Sequence, residues 1–158
     1  PIGAAPPDVG MTGDALALSA GRPDAGASPV SRYIERYAMQ SESRTHGFFY
    51  QPQGEGRGIL GLPILGGSEQ RPSAAVKFLR NKKLQLSDLG LLVAAPDKPR
   101  DDACQASCVD WYGNARPIFI GERVYALMGY ELVEGRVHDE ALLELRRVNF
   151  APRMPQGR

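Results

Sequence analysis

Few residues in this chain have types and spacings that could do chemistry. The first to weigh are Cys104 and Cys108 in DACQASCVDW, with three residues between them. Zinc would need two further soft or imidazole ligands, and the chain offers only His46 and His138, neither near in sequence. That shortage argues against a metal site. A redox pair would show Cys-x-x-Cys at a helix start, and this spacing differs. His46 has Ser41 and Ser43 nearby, but no Gly-x-Ser-x-Gly motif occurs. Its expected role is a hydrogen-bonded histidine at the lip of a buried hairpin. Asp97, Asp101 and Asp102 match no calcium-loop consensus and read as a solvated acidic turn. His138-Asp139-Glu140 reads as a charged turn. The Gly-rich QPQGEGRG lacks the Gly-Lys-Ser/Thr ending and the following helix of a phosphate loop. Trp111 and Tyr112 have two open readings, a ligand or partner hot spot or a cap on the edge of the core. No catalytic residue, cofactor-binding residue or metal ligand is expected, and no cofactor; a structural calcium ion is unsupported.

The elements that must position these residues are bounded by composition. With 158 residues the chain can hold a core of its own, and 42% apolar, 23% charged residues exclude disorder by composition for most of it. A net charge of +1 gives no electrostatic reason to expect nucleic acid or an anionic membrane surface. No apolar run approaches the roughly 18 to 20 residues that span a bilayer. The first residue is Pro1 rather than Met, which raises the expectation of processing or of a piece of something larger.

Residues 1–29 form a lead in which Pro, Gly and Ala fill 17 of 29 positions. Within it only Ala15–Ala20 looks able to form a strand. Val30–Met39 (VSRYIERYAM) follows Pro29 and leans to a strand over a helix through its Val, Tyr and Ile. His46–Tyr50 leads through a Gly-rich turn into Gly58–Leu65, a continuously apolar run too short for a helix. There Gly61 suggests a bulge or a close backbone approach, and Pro63 removes a ladder donor. Ser73–Arg80 and Leu84–Val93 alternate and are joined by a tight turn at Asn81–Lys83. Residues 96–113 are a long polar loop. Tyr130–Val137 and Ala141–Phe150 close the structured part, and 151–158 is a tail.

Ala115–Gly129 is the organising stretch. Arg116–Ile120 and Arg123–Met128 flank Gly121-Glu122, with the Gly first as a type II′ hairpin turn requires. Val124, Ala126 and Met128 point one way, Tyr125 and Leu127 the other. A strand apolar on both faces asks for cover on both. The whole reads as all-β with little helix, eight to ten short antiparallel strands. A radial stack of four-stranded blades explains two-faced strands better than a free-standing sandwich, whose strands are wet on one face. Phe48, Tyr50, Ile59, Leu62, Val76, Phe78, Ile118, Ile120, Val124, Ala126 and Leu127 are expected to be buried.

THGFFYQPQGEGRGILGLPIL, through His46, Phe48, Phe49, Leu62, Pro63 and Ile64, resembles a hairpin of secreted prokaryotic proteins with a C-terminal β-propeller distantly related to WD-repeats. VSRYIERYAM resembles the strand before that hairpin, and RPIFIGERVYALMGYELVEG the closing blade. The resemblance spans roughly residues 14 to 150 and implies the C-terminal blades of a propeller. Those proteins are exported or envelope-associated, periplasmic, cell-surface or extracellular, without a well-established biochemical activity. The resemblance departs at the 96–113 loop and at its basic turns. Exported context implies that Cys104 and Cys108 pair in a disulfide that pins this loop.

At roughly 40 to 50 residues per blade, residues 30–150 make two to three blades, fewer than a ring needs. The expected partners are the remaining blades of the same propeller, as a separate or cleaved chain. The implied function is non-enzymatic binding or scaffolding; the rival is a hydrolase or lyase with its active site in the central channel.

Overall fold

Two-residue turns between alternating apolar strands set the architecture. The computed structural model describes residues 2–4, 11–17, 28–35, 39–40, 49–68, 71–95 and 115–150. Among these there is no helix, and twelve strands build three antiparallel sheets. The first sheet runs β1 (Ile2–Ala4), β2 (Met11–Ala17), β3 (Ser28–Glu35). The second holds β4 (Met39–Gln40), β5 (Phe49–Gly54), β6 (Arg57–Ser68), β7 (Arg71–Lys82) and β8 (Gln85–Val93). The third is β9 (Ala115–Ile120), β10 (Arg123–Met128), β11 (Glu131–His138) and β12 (Ala141–Asn149), paired in chain order.

The second sheet is also four positions wide, because β5 and β4 share one edge of β6. β5 pairs with Arg57–Gly61 and β4 with Ile64 and Leu65. Pro63, which brings no N–H, sits at the break between them.

The sheets stack in chain order, with the second between the other two. On one face of the second sheet, Leu62, Ile64, Ala75 and Leu79 form a buried cluster with Tyr33 of β3 packed against it. On the other, Ile59, Val76, Phe78 and Leu92 meet Val124, Ala126, Met128 and Val133 of the third sheet. Phe78 and Phe119 close this layer edge to face, ring centroids 6.1 Å apart. The strands lie in order along the stack: β1 touches β4 and β5 touches β9 on one rim, while β3, β8 and β12 touch along the other.

Glu131, 2% exposed at its side chain, ties the end of β8 to the third sheet. It accepts from the Ala95 N–H at 2.8 Å and from Arg147 Nη1 at 2.7 Å, and Arg147 Nη2 donates to the Val93 carbonyl at 2.9 Å. These three charge-assisted bonds replace the water that burial removed.

Several expectations change. The lead carries two strands, β1 and β2, rather than one. The β7–β8 turn is Lys83-Leu84, one step later than expected, because Lys82 pairs with Gln85. Gly121 takes the first turn position at φ 59°, as read. Of the expected core, Ile59, Leu62, Val76, Phe78, Val124 and Ala126 are buried. Tyr50 and Ile120 are instead 44% and 62% exposed, and Ile118 and Leu127 are half-buried. The reason is layering. The two-faced cover expected for β10 belongs to the second sheet, while the third is covered on one face only among the described residues.

Candidate functional site

A charge cluster around one buried lysine lies where the first sheet meets the second. Lys77, in the middle of β7, has a side chain only 4% exposed. Its Nζ stands 2.6 Å from Asp88 Oδ2 on β8 and 2.7 Å from Glu35 Oε2 on β3. It also lies 5.4 Å from the centre of the Tyr33 ring. The Tyr33 hydroxyl donates to Glu35 Oε2 at 2.6 Å and lies 3.2 Å from Asp88 Oδ2. Burial alone pulls the Lys77 ammonium down, but its hydrogen bonds to Asp88, Glu35 and Tyr33 outweigh it and hold the group above its ordinary value. Burial and the Glu35 hydrogen bond push the Tyr33 phenol up. A lysine held this firmly as a cation is an anchor between sheets rather than a nucleophile.

The other candidate is a groove of about 440 Å³ between the edge strands β5 and β9. Phe49, Tyr50 and Pro52 line one side, Ile118 and Phe119 the other, and among the described residues Arg116 is the one charged side chain of the lining. Local sequence explains its walls. Tyr50 crosses Gly58, where a methyl group would lie 2.2 Å from the hydroxyl oxygen. Asn81 Nδ2 donates to that hydroxyl at 2.8 Å. Gln51 Nε2 donates to the Gly121 carbonyl at 2.8 Å and braces β5 against the β9–β10 turn. Pro52 and Pro117 blunt both edges against strand addition. The lining, largely apolar, suits an apolar or aromatic group.

The residues singled out by chemistry fall elsewhere. Cys104, Cys108, Trp111, Tyr112, His46, Phe48, Asp97, Asp101 and Asp102 lie outside the described residues. His138 ends β11 beside the exposed β11–β12 turn, its Nδ1 3.1 Å from Asp139 Oδ2 with side chains 67% and 86% exposed, a charged turn as read. QPQGEGRG forms the β5–β6 hairpin turn. Among the described residues no group of three or more His, Cys, Asp or Glu could hold a metal, and no helix is long and apolar enough to cross a membrane. The Lys77 cluster was missed because its partners are distant in sequence. The one local signal is the lysine interrupting the apolar alternation of β7.

Compared with family models, with curated proteins and with solved structures, the chain matches none of them.

Proposed function

We propose that the chain is a non-enzymatic binding or scaffold module made of β-propeller blades, part of a larger propeller in an exported protein. The observation that carries this reading is the stacking of the second sheet. It is buried on both faces between two other antiparallel sheets, one of which precedes it and the other follows it in chain order. Radial stacks of meander sheets bury their inner blades in this way. The rim formed by β1, β4, β5 and β9 would then face the propeller axis. The groove between β5 and β9, apolar with one arginine, favours ligand or peptide binding on that rim over acid–base chemistry. The export half of the reading, and the Cys104–Cys108 disulfide with it, rests on the family resemblance. Non-reducing peptide mapping tests the disulfide, and free thiols or a bridge to another chain would remove it.

Native mass spectrometry of the protein isolated from its own cells tests the propeller reading. The expected particle is heavier than the 17.2 kDa of this chain, because further blades complete it. A monomeric, cooperatively folding 17.2 kDa particle would refute it.

A further inference from the structure

Among the described residues nothing covers the outer face of the third sheet, and its composition specifies a partner. Strand register places its outward side chains in three rows across four strands. The first row is Ile120, Arg123, Arg136, Leu143; the second Ile118, Tyr125, Glu134, Arg146; the third Arg116, Leu127, Leu132, Val148. Seven of these twelve positions are aliphatic or aromatic, four are arginine and one is glutamate. Ile120, Leu143 and Val148 are 62%, 51% and 40% exposed, and Leu145, at the bulge in the β11–β12 pairing, is 48% exposed. Arg123 has Glu134 at 3.3 Å. Among the described residues Arg116, Arg136 and Arg146 have no ion-pair partner.

A sheet face meant for water carries mixed polar residues, not a band of Leu, Ile and Val. The opposite face of the same sheet is already packed on the second sheet, so the chain itself demonstrates what buries such a surface: another antiparallel sheet about 10 Å away. The arginines decide its charge. Two copies of this face would set arginine against arginine, which disfavours a symmetric dimer through it. Nucleic acid would engage the arginines and leave the aliphatic rows in water.

We propose that this face docks an antiparallel β-sheet of a partner polypeptide, apolar where it meets the aliphatic rows and bearing Asp or Glu opposite Arg116, Arg136 and Arg146. This deepens the propeller reading by giving the chemistry of the next blade, and it rests on that reading.

The test places a photoreactive benzoyl-phenylalanine at Leu132 of the full protein in its own cells, with the hairpin-tip position Lys83 as control. Cross-linked peptides from a second polypeptide, with alternating apolar residues and acids on one strand face, are the expected result. The yield should fall by about tenfold or more in R116E/R136E/R146E. The neutral R116Q/R136Q/R146Q, which spares the fold a charge reversal, should fall between. Cross-links to a second copy, to residues 96–114 or 151–158 of this chain, to lipid or to nucleic acid would overturn the proposal. So would a yield no higher than at Lys83. Acid-bearing strand peptides from a particle that is not a ring would keep the docking face and remove the propeller. A closed ring with cross-links elsewhere would do the reverse.

Discussion

Gly61 of β6 and Pro117 of β9 are in direct contact across the second and third sheets: a methyl group on Gly61 would lie 2.4 Å from Pro117 Cβ. The absent side chain is what lets the edge strand of one sheet rest on the inner strand of the next. Gly61→Ala is expected to push β9 away and destabilise the fold by about 1 to 3 kcal/mol, as overpacking does. Chemical denaturation measures it; an unchanged midpoint would mean that the two sheets do not pack through this pair.

Phe78 is fully buried against Phe119, so truncation leaves a cavity between sheets that are held by their backbones and cannot collapse. Phe78→Ala should cost about 3 to 5 kcal/mol. A loss below about 1 kcal/mol in a urea titration would place Phe78 on a wet face.

Lys77 links stability to alkaline pH. Its folded-state pKa lies above the unfolded value, so the folded protein keeps the proton longer than the unfolded chain. The stabilisation is complete below the unfolded lysine value, about pH 10, and is lost as pH rises through the folded one. Tyr33 acts in the same sense, since its folded phenol stays protonated where the unfolded one ionises. Unfolding midpoints should therefore hold steady up to about pH 10 and fall beyond it. Lys77→Met should flatten the fall and cost about 1 to 2 kcal/mol at neutral pH, since Glu35 loses its cation while the half-exposed Asp88 turns to water. An alkaline slope unchanged in Lys77→Met would assign it to other groups.

The β7–β8 turn stores strain. Lys83 and Leu84 both adopt left-handed backbone, at φ 52° and 67°. Non-glycine residues there carry a penalty of about 1 to 2 kcal/mol each. Leu84 is 38% exposed, so little packing offsets it. Leu84→Gly should raise the thermal midpoint, corresponding to a gain of up to about 1 kcal/mol after the entropy of the freer unfolded chain is counted. A lower midpoint would show that Leu84 contributes packing after all.

Much of the secondary structure was legible because its causes are local. Gly121 ahead of Glu122 specified a hairpin, and the alternation of Val124, Ala126 and Met128 with Tyr125 and Leu127 separated two faces, though not which of them is buried. Gly61 in GILGLPIL signalled a bulge or a close approach, and the approach is the one that Pro117 makes. The lead was under-read, since Ile2–Ala4 and Met11–Ala17 gain their order by pairing within a sheet rather than from their own propensity. Of the candidate site, only the interruption at Lys77 was visible; Glu35 and Asp88 reach it from other strands.

Short-range patterns alone carried the all-β character of the described residues, where their strands turn and which side chains alternate, because hairpins and pleats are local. They could not determine which two-faced strand lies in the middle of the stack. Tyr125 and Leu127 look as fit for burial as Lys77 looks unfit, yet the lysine is enclosed and the other two are half-buried. Only the stacking order decides that, since burial depends on which sheets lie above and below, and a charge can be enclosed once two distant carboxylates arrive to meet it.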